Sequence, residues 1–305
     1  MGPSRAFLAA HLLGAGFFWG SGFLFIKLTE GALSPPALAA CRGTIAALAL
    51  SAWFVSQGWS LRPQGGEWRH WAVLGACNGW GPNILTAFAM TQITAGLGSM
   101  IQASGPILVA VLSHLAFSDE RLTPRRLAGV AVGFVGMALL IGPEAFDPAG
   151  AAIWGVLAMV ATAISYAVGN VYVRFIREAQ PARLALGQQL FSAGPAIPIA
   201  LALGGPAAFA PATEVPLALL GLGVLATALP IVLFMRLIRA AGPTRAAMVG
   251  YLTPVAATVL AMLVLGERIG PREVLGGAVV LLGVALVSTA RAGGRQTVPG
   301  PPDGP

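Results

Sequence analysis

Apolar runs of span length follow one another along almost the whole chain, each closed by a proline, a glycine or a charged group. This feature limits the fold more than any other. A bilayer core takes about 20 mostly apolar residues per helix, and ten runs approach that length: 7–28, 36–57, 69–90, 97–117, 125–142, 151–173, 183–204, 215–236, 245–265 and 272–290. The fifth is short, and the third carries Asn78 and Asn83. Only 10% of the 305 residues are charged and 56% are hydrophobic, with a mean hydropathy of +0.79. Soluble domains are about a quarter charged, so a water-soluble enzyme is not expected. The 40 glycines and 23 prolines lie inside the apolar runs, where membrane helices tolerate them. The expected fold is an all-α integral membrane protein. Connections are too short for a separate soluble domain, and the polar tail 291–305 reads as disordered. The first run is too long for a signal-peptide core and no Ala-x-Ala site follows it, so it counts as a span.

The net charge of +7 does not indicate a nucleic-acid partner, because the 18 basic residues are dispersed between apolar runs rather than gathered on one solvated face. They orient the protein instead. With the N-terminus inside, fourteen of them fall on the cytoplasmic side, leaving Lys27, Arg268 and Arg272 opposite and Arg42 two turns into the second span. The positive-inside rule then places both termini in the cytoplasm.

The second half of the chain echoes the first at a constant offset of 147 residues. Trp19, Gly22 and Lys27 align with Tyr166, Gly169 and Arg174; Glu120, Arg121 and Pro124 with Glu267, Arg268 and Pro271; Gly129 and Gly136 with Gly276 and Gly283. The expected division is a first five-helix repeat over 1–145, a second over 146–290, and the tail. Five is odd, so the two repeats must enter the membrane in opposite directions. Inverted repeats are typical of secondary transporters, with substrate bound near the midplane at the repeat interface.

Ten spans in this arrangement, Trp-Gly-Ser-Gly-Phe at 19–23 ending at Lys27, Ala-Gly-Leu-Gly-Ser at 95–99, Gly105-Pro106, and the repeated Glu-Arg-x-x-Pro link together resemble the EamA-type branch of the drug/metabolite transporter superfamily. The resemblance covers 7–290, and the chain is similar to the YddG-type aromatic amino-acid exporters of that branch. It implies a small-metabolite exporter of the inner membrane. Two departures stand out: Gly22 where many relatives carry Asn, and Gln188-Gln189 where the first half carries Arg42.

Some chemistry is missing. The single lysine, Lys27, follows Ile26, so no Gly-Lys-[Ser/Thr] phosphate loop exists. His11, His70 and His114 are far apart, Cys41 and Cys77 are isolated thiols, and neither zinc spacing nor a catalytic constellation is present. We expect no enzyme activity, no cofactor and no metal. All eleven acidic residues fall in loops or at span ends. Ion-coupled carriers usually hold an ionisable group within the membrane, so downhill, uniport-like movement is expected.

A neutral cavity recognises its ligand through amides, hydroxyls and aromatic rings. The substrate-site candidates are Trp19, Asn78, Trp80, Asn83, Ser99, Gln102, Tyr166, Asn170 and Tyr251, with Pro106, Pro230 and Pro254 as hinge positions. Ser99, Gln102 and Pro106 would share one helical face at i, i+3 and i+7, and Tyr166 and Asn170 form an i, i+4 pair. Ser21, Thr227 and Thr253 are more simply interhelical glue. Arg42 either snorkels outward, pairs with Glu30, or captures a substrate carboxylate. Glycines 129, 133, 136, 276, 277 and 283 would let spans five and ten pack closely. The expected function is export of aromatic or other neutral amino acids by a monomer whose partners are its small-molecule substrate and the lipid bilayer. Other amphipathic metabolites, a channel or a membrane-embedded receptor are the alternatives.

Overall fold

The computed structural model describes residues 5–117, 123–141, 152–173, 175–176, 180–241 and 249–289. The tail, the Glu120-Arg121 link, Arg174 and the side chain of Tyr251 lie outside the described residues. Within them every regular element is helical. In chain order these are α1 (Arg5–Leu28), α2 (Pro35–Ser56), α3 (Glu67–Gly75), a π turn (Ala76–Trp80), α4 (Gly81–Met90), α5 (Ala95–Gln102), α6 (Gly105–Ala116), α7 (Pro124–Ile141), α8 (Ala152–Val173) and α9 (Pro181–Gly204). A 3-10 stretch (Pro206–Thr213) follows, then α10 (Pro216–Leu220), a second π turn (Gly221–Ala228), α11 (Leu229–Ala241), α12 (Val249–Leu265) and α13 (Pro271–Thr289). Pro35, Pro124, Pro181, Pro216 and Pro271 each open a helix, where the missing N–H costs nothing and the fixed φ is already helical.

Six segments are long and apolar enough to cross a membrane: Ala6–Leu28, Pro35–Ser56, Ala95–Ala116, Ala152–Val173, Ala182–Gly204 and Pro216–Leu237. Large apolar side chains project from these and neighbouring helices, including Leu48, Leu115, Leu203, Leu217 and Leu263, each at least two-thirds exposed. Such an apolar exterior suits lipid and not water. The buried positions are rich in alanine, as along Ala37, Ala39, Ala40, Ala46 and Ala47 of α2, and small residues of this kind let helices without a hydrophobic driving force gain contact through close approach.

Glycines mark the crossings. A Cβ on Gly136 of α7 would lie 2.6 Å from the Val280 nitrogen of α13, and one on Gly283 would lie 2.7 Å from the Gly129 oxygen. A Cβ on Gly20 of α1 would lie 2.7 Å from the Thr253 oxygen of α12. The expected close packing of the fifth and tenth runs is therefore present, through Gly129, Gly133, Gly136, Gly276 and Gly283.

Three runs that read as single spans are interrupted. The third is α3, a π turn and α4, with Gly79 at φ −124, ψ −110 in the turn. The eighth is α10, a π turn and α11. The fourth stops at Gln102 and restarts at Gly105. Each helix that restarts has proline in its first turn or immediately at its start: Pro82, Pro230 and Pro106. A proline has no N–H to continue the preceding ladder, which is why the pattern breaks there.

Two carboxylates clamp helix ends. Where α3 and α9 begin, Arg183 donates to Glu67 through Nε at 3.0 and 3.1 Å and through Nη2 at 2.8 Å, and also to the carbonyls of Ser60 and Arg62. At the far end of the α3–α4 segment, Gly266 adopts φ +67 and turns the chain after α12. Glu267 then accepts from the backbone N–H groups of Ala95 and Gly96 at 2.8 and 3.0 Å. A carboxylate is favourable at the positive end of a helix.

Candidate functional site

The sequence candidates divide by what holds them. Ser99 is buried and donates to its own helix at Gly96 (2.8 Å). Ser21 and Thr253 likewise donate to Phe18 and Val249. Asn83 is buried and donates to Ser192 Oγ of α9 at 3.3 Å. Trp80 packs over Ala39, Ala40 and Ala196, and Trp19 stands 5.2 Å from the Phe234 ring. These are packing and cross-linking positions first. Asn170 is exposed, unlike Tyr166 one turn earlier, which is half-buried.

The face expected to unite Ser99, Gln102 and Pro106 is divided. Because the helix breaks at 103–104, Ser99 is buried, Gln102 half-buried and Pro106 exposed. Two of the hinge prolines also differ in role. Pro106 starts α6, whereas Pro254 lies inside α12.

What the structure brings together is a polar seam at each of the two π turns. At the first, Pro82 has no N–H to offer the Asn78 carbonyl four residues back, and Gln188 Nε2 of α9 supplies a donor at 3.4 Å. Asn78 Nδ2 returns a bond to Gln188 Oε1 at 3.4 Å. Ser165 of α8 donates to the Cys77 carbonyl (2.7 Å), and a Cβ on Gly169 would collide with Asn78 Oδ1. At the second π turn, Thr227 donates to the Leu222 carbonyl (2.7 Å) and accepts from Arg42 Nε of α2 (3.0 Å).

Among the described residues three buried amide oxygens have no hydrogen-bond partner: Asn78 Oδ1, Gln102 Oε1 and Gln189 Oε1. An unpartnered buried acceptor costs about 1–3 kcal/mol, so each is a place where a ligand donor or a water would be welcome. Reading the sequence missed Gln188, Gln189, Ser165, Ser192 and Pro82 as members of this seam. The Gly-Pro pair at 81–82 and the Gln-Gln pair in an apolar run were the available signals.

Away from the seam, an apolar groove between α6 and α8 is lined by Leu112, Leu115, Val168, Val171 and Phe175, with Tyr172 as its one polar member. The Tyr172 hydroxyl meets His70 Nδ1 at 2.8 Å. Among the described residues no group of three or more His, Cys, Asp or Glu could hold a metal ion.

With this geometry in view, comparison with known proteins is informative. The model of the EamA-like transporter family matches the chain twice, over residues 6–142 and 153–289. An uncharacterized transporter of Archaeoglobus fulgidus is 28% identical over 282 residues, covering 88% of this chain and 93% of that one. The uncharacterized inner membrane transporter YedA of Escherichia coli is 26% identical over 278 residues, 90% of this chain and 88% of its own. A WAT1-related chloroplastic protein of Arabidopsis thaliana is 28% identical over 281 residues, 89% of this chain and 67% of its own. A solved crystal structure shares the fold at TM-score 0.67 and 22% identity, covering 93% of this chain and 96% of that one.

Proposed function

Because the chain belongs to the EamA-like transporter family, and so to a family of membrane transporters and not of enzymes, we propose that it is a secondary carrier exporting aromatic or other large neutral amino acids. In this reading ten spans form two inverted five-helix repeats around a central cavity, and substrate moves down its gradient by alternating access. The two family matches are displaced by 147 residues at both ends, the offset of the internal echo. Helix packing also comes in corresponding pairs: α1 lies on α12 as α8 lies on α5, and α2 meets the second π turn as α9 meets the first. Both features support the inverted repeat.

The observation that carries the substrate reading is the seam itself. Asn78, Gln102 and Gln189 hold buried amide oxygens without partners among the described residues, and a site built from such amides and the aromatic rings of the spans suits a ligand with an apolar body and a polar head. Among the described residues the acidic side chains, Glu30, Glu67, Glu214, Glu267 and Glu273, stand at helix ends or in connections, which supports movement without ion coupling.

Counterflow in liposomes tests this. Protein reconstituted with unlabelled phenylalanine inside should accumulate labelled phenylalanine transiently, with little change when the pH gradient is collapsed. Strong dependence on an imposed proton gradient overturns the uniport reading. Flux without counterflow would identify a channel.

A further inference from the structure

Among the described residues nothing neutralises the charge of Arg42. Glu30, the carboxylate nearest in sequence, is taken by Lys27 at 3.0 Å. Among the described residues Arg42 has no carboxylate partner, and its one hydrogen bond is from Nε to Thr227. The side chain is also not turned toward the nearby helix end. Arg42 is the eighth residue of α2, whereas its partner Thr227 lies close to the middle of the 216–241 segment. The guanidinium therefore reaches inward, the opposite of snorkelling. An arginine inside a membrane is expensive and normally pairs with another group or serves the transported species.

Thr227 fixes the orientation. Its hydroxyl proton is committed to the Leu222 carbonyl, so its oxygen can only accept, and it holds Nε while the two terminal nitrogens of the fork make no bond to the described protein. Those nitrogens match a planar carboxylate two-to-two. The position 147 residues on from Arg42 is Gln189, so the other repeat offers amides and no second cation. One guanidinium with no second cation at the corresponding position of the other repeat fits a single negative charge. A phosphate dianion would call for more positive charge than this.

We propose that Arg42 is the anchor for a carboxylate on the transported molecule, with Thr227 as the residue that positions it. The proposal rests on the carrier reading above and narrows its substrate class to monocarboxylates and zwitterions, excluding amines that lack a carboxylate.

The test uses full-length protein in detergent and three ligands with the same aryl body: phenylalanine, 3-phenylpropionate and 2-phenylethylamine. Ligand-dependent rise in melting temperature gives the apparent affinity. The wild type should be stabilised by the two carboxylates and not by the amine. Arg42→Gln should weaken both carboxylates by roughly 10- to 100-fold, and Arg42→Lys, which keeps the charge without the fork, should weaken them less. If Arg42→Gln does not fold, the wild-type and Arg42→Lys headgroup comparison decides. Wild-type protein that binds the amine as well as phenylalanine, or binds no carboxylate, overturns the proposal. So does Arg42→Gln protein that binds carboxylates like the wild type. Failure of the amino-acid reading alone has a different signature: 3-phenylpropionate binds through Arg42 while phenylalanine is neither bound nor carried.

Discussion

Glu67 and Arg183 show how much one pair settles at the residue scale. Arg183 is buried and also lies over the Trp71 ring, 5.9 Å from its centre. Its hydrogen bonds hold the Glu67 carboxyl below the usual range, helped by the Gln64 N–H and opposed by partial burial. A carboxyl whose folded value is depressed contributes stability above its unfolded value of about 4.3 and loses it as pH falls toward the folded one. Melting temperature should therefore drop on acidification below about pH 4.3, and Glu67→Gln should melt lower at neutral pH while converging with the wild type in acid. Arg183→Ala should cost about 3 kcal/mol, because it strands a partly buried carboxylate. Gln102 carries a different prediction. Its Oε1 is buried without a partner, so if substrate supplies the donor, Gln102→Ala should lose about 1–1.5 kcal/mol of binding, roughly tenfold in apparent affinity. Tyr251→Ala should behave likewise and Arg291→Ala like wild type. Three unaffected variants at normal expression would place the cavity on other helix faces.

At the scale of elements, the two π turns and the break at 103–104 are the consequential features. Proline and glycine within an apolar run free backbone groups that are re-satisfied by neighbouring helices or by Ser/Thr side chains; here Gln188 and Ser165 do so from neighbouring helices and Thr227 from within its own turn. The breaks and the polar seam thus have one cause. The α7–α13 crossing makes the opposite use of glycine, as a place without side chains. Gly136→Leu should drive a side chain into the backbone of α13 and lower stability by at least ~1–3 kcal/mol. Gly105→Ala, where a Cβ meets nothing within 4 Å, should leave thermal melting in detergent close to wild type. Equal melting of the two variants would mean that the crossing is loose.

For the molecule as a whole, the distribution of arginine and lysine is what should orient the bundle. Fourteen of the 18 basic residues on one side should place both termini in the cytoplasm, and accessibility labelling of single cysteines added near residues 3 and 300 checks this. A terminus labelled from outside would make the number of crossings odd and remove the five-plus-five arrangement. In that orientation the Glu67–Arg183 clamp would lie on the cytoplasmic side and the Glu267 cap on the opposite one, so that among the described residues a carboxylate would tie helix ends together on each side.

The sequence by itself determined the class of the protein. Runs of span length with 10% charge have no soluble solution, and the motifs recurring at an offset of 147 carried the family resemblance that the comparison with known proteins established. Much of the helix pattern was legible for the same reason, since length and hydropathy act locally. The interior of three spans was not. The π turn at 76–80 depends on which neighbour can satisfy a freed carbonyl, and Gln188 reaches Asn78 from 110 residues away. The candidate site was legible in its residue types and only partly in its membership. Asn83, Ser99 and Trp80 have the polarity or size of ligand groups, yet α9, α5's own backbone and α2 occupy them. Arg42 is the reverse case. Spacing along α2 allowed it to turn outward or inward, and only the position of Thr227 across the bundle decided for the interior, because a hydrogen bond between residues 185 apart exists only once the helices have packed.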